Sequence, residues 1–176
     1  MRTRERETIM FAANLSEYHA NQHGYRILRI TRYARLIAEG MGLPPDMVER
    51  IEIASTLHDI GKIHELKYSP SGSTYTAAGR LVGHIFIGRD MIRDRARSMP
   101  EFNPETLLRL EHIIISHQSL PEWGSPIAPS TPEALLVAEA DNIDAKFHEL
   151  AAALMIPPTP GEEFTTRDNP LRRAIF

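Results

Sequence analysis

The sequence predicts an all-α fold, a bundle of about six helices. Apolar residues recur at helical spacing along most of the chain, and no segment shows the sustained alternation that is typical of a strand. Pro45, Pro104 and Pro132 stand near predicted helix starts, where the missing N–H of proline costs no hydrogen bond. A chain of 176 residues is long enough for one domain with a substantial core. We therefore expect a single domain over residues 1–176.

Three helices are predicted in the first part of the chain. Residues 1–20 are an N-terminal extension with a helix at 8–20. A second helix, 23–41, is predicted because apolar residues follow one another three and four positions apart. That apolar stripe consists of Ile27, Ile30, Ala34, Ile37, Ala38 and Met41. The third helix, 45–60, begins at a Pro-Pro pair and ends before Gly61.

Three further helices are predicted in the second part of the chain. Loops rich in Pro, Gly and Ser separate them at 66–75 and 119–131, and residues 157–176 are expected to form an irregular tail. The predicted helices are 76–97, 104–118 and 132–154.

The composition is that of an ordinary globular protein and excludes two kinds of site. No cysteine is present, so the chain can form neither a disulfide nor a thiolate metal site. The formal net charge is -3 and the pI is about 6.2, unlike the basic balance of tight duplex-binding proteins. The N-terminus alternates in charge without an apolar core, and no later run has the length of a membrane span. We therefore expect a cytoplasmic protein that does not engage a membrane.

The most informative stretch is His58-Asp59-Ile60-Gly61-Lys62, at the end of the third predicted helix. A carboxylate that lies between an imidazole of its own helix and ligands from other helices can hold one divalent ion or bridge two. The lysine that follows directly can meet a phosphate. A site of this kind hydrolyses phosphate esters.

Two further candidate ligands lie on inward helix faces far from this stretch. His23 stands four residues before Ile27 and therefore shares its apolar stripe, and Asp141 lies on the apolar stripe of the helix at 132–154. A buried carboxylate without a partner is costly, so a metal ion or a cationic side chain should lie beside Asp141. Together, three helices would supply a complete first metal site. Its members are His23, His58, Asp59 and Asp141.

This order of ligands resembles that of the HD phosphohydrolase superfamily. Further blocks of sequence are similar to the catalytic domain of the YhaM-type 3′→5′ exoribonucleases, and they extend the resemblance from about residue 20 to the C-terminus. Those blocks are Tyr75-Thr76, Gly79 to Ile85, Ile115 to His117, Glu122 to Pro126, Thr131 to Ala134, Asp141 to Lys146 and Phe164 to Phe176. The resemblance implies an HD-domain helical bundle and a metal-dependent phosphohydrolase.

The resemblance also implies roles for individual residues. His84 and His117 would hold a second ion that Asp59 bridges to the first. Lys62 and Arg80 are the candidate phosphate contacts, and Asp59, Lys62 and Arg80 are then the catalytic residues. Imidazole, carboxylate and amide ligands suit Mn, Fe, Mg, Ni, Co or Zn without choosing among them. We expect one or two such divalent ions per chain.

Two features depart from the family pattern. The chain reads His117-Gln118 where the family usually has two histidines, and an amide oxygen is a weaker ligand for transition metals than an imidazole. The second ion is therefore expected to bind less tightly than the first. Exoribonucleases of this type also carry a nucleic-acid-binding barrel before the catalytic domain, where this chain has only about 20 residues. A separate nucleic-acid-binding partner could supply that function.

Three classes of function remain open from the sequence. The resemblance favours a phosphodiesterase that acts on RNA 3′ ends or short single strands. The acidic balance favours a phosphatase or phosphodiesterase of small nucleotides. A non-catalytic regulatory module that binds metal is the third.

Three further residues have less specific predicted roles. Tyr75 and Trp123 could stack on a base or cap the core, and His112 is predicted to be a surface or packing residue.

Overall fold

The structure is a computed structural model that describes residues 25–176, and nearly all the regular secondary structure in this part of the chain is helical. The predicted all-α class is confirmed. The one sheet among the described residues is a two-stranded antiparallel hairpin. In chain order the elements are α1 (Arg26–Gly40), α2 (Pro45–Leu57), α3 (Lys62–Glu65), β1 (Leu66–Ser69), β2 (Gly72–Tyr75), α4 (Ala77–Leu81), α5 (Gly83–Arg97), α6 (Pro104–Ser116), a 3-10 turn (Pro121–Trp123) and α7 (Pro132–Leu154). The predicted helix 8–20 and the predicted ligand His23 lie outside the described residues.

The helix boundaries agree best with the prediction where a proline marks the start. Helices α2, α6 and α7 begin at Pro45, Pro104 and Pro132, and α7 also ends at the predicted Leu154. The side chain of Asn103 accepts two of the N–H groups that the first turn of α6 leaves without a helical partner. Helices α1 and α6 end within two residues of their predicted ends. None of the described helices is long and apolar enough to cross a membrane.

Two predicted helices are shorter than the apolar pattern indicated. The helix predicted at 45–60 ends at Leu57 and is followed by turns. The helix predicted at 76–97 breaks at Val82, because Gly83 has a φ of +80°, a left-handed conformation that glycine adopts at little cost. An apolar stripe marks which face is buried, but it does not reveal a change of direction within the stripe.

The loop predicted at 66–75 is instead the hairpin of β1 and β2. The strands pair from Leu66 opposite Tyr75 to Ser69 opposite Gly72. Each strand has four residues, which is too short for the alternation that identifies a strand in the sequence. The Pro, Ser and Gly residues that predicted a loop form the turn of this hairpin.

The base of the hairpin is closed by hydrogen bonds from one residue. The backbone N–H of Thr76 donates to the carbonyl of Glu65 over 2.9 Å, and its hydroxyl donates to the carbonyl of His64 over 2.8 Å. The same hydroxyl oxygen accepts the N–H of Gly79 and so caps the start of α4. The two ends of the hairpin are therefore fixed to each other and to the next helix.

The chain divides into two compact units, with the boundary between Asp141 and Asn142. The second unit contains the last part of α7 and a C-terminal segment without regular structure, as predicted for 157–176. Within that segment Thr165 and Ile175 exchange two hydrogen bonds of 2.8 and 3.0 Å. The organisation of residues 1–176 as a single domain stays a prediction.

The core of the first unit is built from small and β-branched side chains. Helix α1 packs along α2, α5 packs along α6, and the first part of α7 completes the core. Removing such side chains from water is the main stabilising contribution to the fold. The buried residues are Ile30, Ala34, Ala38, Val48, Ile51, Ala54, Ile113, Ala134, Leu136, Val137 and Ala140.

A close approach of two backbones places α5 beside the turn that follows α2. A Cβ atom added at Gly61 would lie 1.9 Å from the carbonyl oxygen of His84 and 2.6 Å from the backbone nitrogen of Gly88. A Cβ atom at Gly79 would lie 2.2 Å from the carbonyl oxygen of Glu65. The positions require glycine, since backbone atoms cannot move aside as a flexible side chain can.

We predict that Gly61→Ala lowers the free energy of unfolding by about 2–3 kcal/mol, because the methyl group has to push α5 away from the turn. Gly40→Ala is the matched control, since a Cβ atom there meets nothing within 4 Å. Denaturant unfolding of both variants measures the difference. A Gly61→Ala protein as stable as the Gly40→Ala protein would contradict the close approach.

Candidate metal centre

The centre of the candidate site is Asp59, a carboxylate that is only 2% exposed. One of its oxygens, Oδ2, lies 2.6 Å from Lys62 Nζ and 2.9 Å from Arg26 Nη1. The other, Oδ1, lies 3.3 Å from His84 Nε2 and 3.6 Å from His117 Nε2. Oδ2 therefore meets cationic side chains, whereas Oδ1 faces two imidazole nitrogens.

All three histidine rings around Asp59 are held through Nδ1. The Nδ1 atoms of His58 and His117 lie 2.6 and 2.7 Å from the backbone carbonyls three residues earlier. His84 Nδ1 lies 3.0 Å from a carboxylate oxygen of Glu65. These oxygens can only accept, so Nδ1 carries the proton and the lone pair of a neutral ring is on Nε2. That nitrogen is the one turned toward Asp59 in each ring.

The atoms at the centre of this cluster lack hydrogen-bond partners. His58 Nε2, Asp59 Oδ1 and His117 Nε2 are each buried without a partner among the described residues. A buried acceptor without a donor loses its hydration and gains nothing in return, so such atoms call for an explanation. The ligand atoms of Asp59, His84 and His117 lie within 4.8 Å of one another. A cation held by this cluster would satisfy Asp59 Oδ1 and His117 Nε2 together, and the donor set of Asp59, His84 and His117 fits a divalent metal ion.

The charge states of Asp59 and His117 suit a metal site, whereas the surroundings of His58 favour a proton on its ring. Burial alone would raise the pKa of Asp59, but the charges of Lys62 and His58 outweigh it and hold this pKa well below its usual value. Burial lowers the pKa of His117, which keeps its imidazole neutral. The pKa of His58 is raised because Asp59 attracts a proton to it more strongly than burial opposes the charge. An ionised carboxylate and neutral imidazoles are the forms that bind metal.

Two side chains of the site were not predicted from the sequence. Glu65 is buried and accepts both the backbone N–H of His84, over 2.9 Å, and its ring Nδ1. No spacing in the sequence connects residues 65 and 84, so no pattern could have indicated this pair. Arg26 was detectable, because it stands four residues before Ile30 on the inward stripe of α1.

Arg26 is the cationic partner that was expected beside Asp141, whose side chain is 13% exposed. Its Nη1 contacts Asp59, and its Nη2 donates to Asp141 Oδ1. His58 Nε2 lies 3.9 Å from that same oxygen of Asp141. The structure thus brings three of the four ligands predicted for the first site together, with the guanidinium of Arg26 among them.

The remaining predicted residues are distributed around this cluster. Lys62 contacts Asp59 and is 23% exposed, and the side chain of Arg80 is exposed on α4. The amide nitrogen of Gln118 lies 3.4 Å from His84 Nε2, which places this amide at the edge of the candidate site. Trp123 and Tyr75 are about half exposed, at 51% and 56%. The partly buried His112 accepts the backbone N–H of Ser130 through Nε2.

Comparison with known proteins places this arrangement in a family. A family model described as HD domain matches residues 24–146, which is more than half of the chain. A 3′-5′ exoribonuclease YhaM from Bacillus licheniformis is 35% identical over 154 residues, covering 85% of this chain and 47% of the relative. The 3′-5′ exoribonuclease YhaM from Bacillus subtilis is 34% identical over 155 residues, which again cover 85% of this chain and 47% of the relative. The protein of the same name from Shouchella clausii is 43% identical over 98 residues, which cover 56% of this chain and 30% of the relative. The chain spans about half the length of the first two relatives.

We predict that Glu65→Gln weakens the binding of Mn²⁺ at least tenfold, because partners that orient a ligating histidine typically contribute about 10–100-fold to metal affinity. The amide keeps the shape of Glu65 but removes the negative charge that holds His84 Nδ1. Calorimetric titration with Mn²⁺ measures the affinity. Glu101→Gln, an exposed change of the same charge, is the control. Equal affinities in the two variants would show that Glu65 does not orient His84.

Proposed function

Because this chain belongs to the HD domain family, we propose that it is a metal-dependent phosphoric ester hydrolase that acts on RNA 3′ ends or short oligonucleotides. The observation that carries the proposal is the group of partnerless nitrogen and oxygen atoms that converge beside Asp59. Buried polar atoms without partners destabilise a fold, and a bound cation would offset that cost. The relatives named as 3′-5′ exoribonucleases support RNA as the substrate class.

The chain offers two sets of ligands for divalent ions, both including Asp59. One set adds His84 and His117 through the Oδ1 side of the carboxylate. The other adds His58 and Asp141 on the Oδ2 side, with His23 as its predicted further member. Nitrogen and oxygen donors without sulfur suit Mn, Fe, Mg, Ni, Co or Zn, and we propose Mn²⁺ as the preferred ion.

The proposed chemistry is hydrolysis of a phosphodiester at the mouth of this site. Divalent ions bound here would neutralise phosphoryl oxygens and lower the pKa of a bound water toward neutrality. Lys62 keeps Asp59 ionised through its contact of 2.6 Å and has enough exposure to reach a phosphate oxygen as well. Arg80 is proposed to contact the phosphate from α4, where its planar fork matches two phosphate oxygens.

The proposed substrate is short because the described surface offers few places for a long strand. The net charge is -3, and most arginines of α5 are paired with carboxylates, namely Arg89 with Asp90, Arg93 with Glu111 and Arg97 with Asp94. Tight binding of long RNA depends on many unpaired cationic contacts or stacked bases. Tyr75 and Trp123 are two exposed aromatic rings that could each stack on a terminal base.

A second candidate is the hydrolysis of small nucleotides. The observation that favours it is the acidic net charge of -3, since a mononucleotide needs only the metal site and one or two cations. Both candidate functions use the same catalytic residues. They differ in whether the substrate continues past the reacting phosphate as an RNA strand or is a single nucleotide.

We predict that chelation lowers the melting temperature of the protein and abolishes its hydrolytic activity. A ligand that binds only the folded state adds about 2.7 kcal/mol when present at a hundred times its dissociation constant. Asp59→Ala should bind no metal and hydrolyse nothing, whereas Asp46→Ala, which removes an exposed carboxylate, should behave as the wild type. Differential scanning fluorimetry with and without chelator provides the comparison. An active, metal-replete Asp59→Ala protein would refute the site.

We further predict slow, Mn²⁺-favoured hydrolysis whose rate depends little on the length of the RNA strand. Because the pocket recognises only the terminal nucleotide, dinucleotides and oligomers of about 5 and about 25 nucleotides should react at similar rates and long RNA should bind weakly. Rates on these substrates and on mononucleotides, with Asp59→Ala as the blank, decide between the two candidates. Processive degradation of the longest strand with tight binding would contradict the short-substrate proposal. No turnover on any of them would favour a regulatory metal-binding module.

A further inference from the structure

We propose that Arg26 is an internal counter-cation that occupies the ligand set of His58, Asp59 and Asp141 when metal is absent, so that the first ion enters at His84 and His117 instead. The inference rests on the proposed metal dependence and concerns the order in which the two ligand sets fill. The sequence had indicated the reverse order, because Gln118 replaces a histidine beside the second set.

The position of the guanidinium carries the proposal. Arg26 Nη1 lies 2.9 Å from Asp59 Oδ2, Nη2 contacts Asp141 Oδ1, and the side chain is 17% exposed. His58 Nε2 lies 3.3 Å from the first of these oxygens and 3.9 Å from the second. The planar fork thus uses the two carboxylate oxygens nearest His58 Nε2, and an ion can bind them only if Arg26 leaves.

The other carboxylate oxygen of Asp59, Oδ1, contacts imidazole nitrogens and no cationic side chain among the described residues. Within the part of the chain that the structure describes, this oxygen is buried without a hydrogen-bond partner and faces His84 and His117, whose proton-bearing Nδ1 atoms point away. Among the described residues, both cationic side chains that contact Asp59 do so through Oδ2. An ion at Oδ1 therefore displaces no protein cation, whereas an ion at Oδ2 competes with Lys62 and, where it also uses Asp141, with both contacts of Arg26.

Competition between Arg26 and a metal ion for the same carboxylate oxygens should lower the affinity for that ion. Moving Arg26 breaks two charge-assisted hydrogen bonds, and the ion has to replace both before it contributes any net stability. In the metal-free protein the same two bonds keep Asp59 and Asp141 from facing each other unpaired. Arg26 should therefore stabilise the metal-free protein and weaken one of its two metal-binding steps.

The test is titration of the full chain with Mn²⁺ by calorimetry, together with thermal unfolding in chelator. The wild type should bind one ion tightly and a second weakly. Arg26→Gln should tighten the weak step at least tenfold, leave the tight step within about twofold, and lower the melting temperature in chelator. Arg26→Lys, which keeps the charge but can contact only one carboxylate at a time, should fall between the two. Arg32→Gln removes an exposed charge from the same helix and should change nothing.

A second comparison identifies the set that Arg26 occupies. In an Asp141→Asn background the weak step should be lost, and Arg26→Gln should no longer tighten any step. If Arg26→Gln and Arg26→Lys bind both ions as the wild type does, the role of Arg26 is refuted while metal dependence stands. If neither the wild type nor the variants bind Mn²⁺, both the inference and the proposed function fall.

Discussion

The site depends on one constraint, which is that the negative charge of Asp59 is almost completely removed from water. An ionised carboxylate can remain buried only if positive charge and hydrogen-bond donors surround it. Arg26 and Lys62 supply that charge at one oxygen. Among residues 25–176 the other oxygen has two imidazole nitrogens beside it and no cationic side chain, so the described cations neutralise one side of the central carboxylate.

The second requirement is that the imidazole rings of His58, His84 and His117, which come from separate parts of the chain, lie beside Asp59 in a fixed orientation. Backbone contact does part of this, since Gly61 allows the chain after α2 to touch α5 at His84. Carbonyl oxygens and the carboxylate of Glu65 do the rest, because they hold each ring by Nδ1. The ring positions therefore do not depend on a metal being present, which is the arrangement expected of a site that binds an ion without refolding.

The sequence predicted the features that are local and missed those that depend on distant residues. Helix α7 was predicted to the residue because a proline begins it and its apolar stripe is continuous. The break at Gly83 and the four-residue strands were missed, since a periodic pattern averages over such short features. The His58-Asp59 doublet was readable in the sequence, but the contact of Glu65 with His84 arises only after the hairpin closes. A cation was predicted beside Asp141 because a carboxylate on an inward helix face needs a partner. The structure shows that the guanidinium of Arg26 is this cation.

The closed base of the β1–β2 hairpin makes its tip suitable for attaching a reporter. Thr76 ties both ends of the hairpin together, so an insertion between Pro70 and Ser71 would lengthen a loop whose ends are already joined. Each doubling of the loop length costs only about 0.6 kcal/mol of chain entropy. The hydrogen bonds of Thr76 at the base of the hairpin would remain in place. A fluorophore or short tag placed there would sit at the far end of the hairpin whose first strand follows Glu65, the residue that accepts the N–H of His84. It would report on events at the metal ligands without touching them.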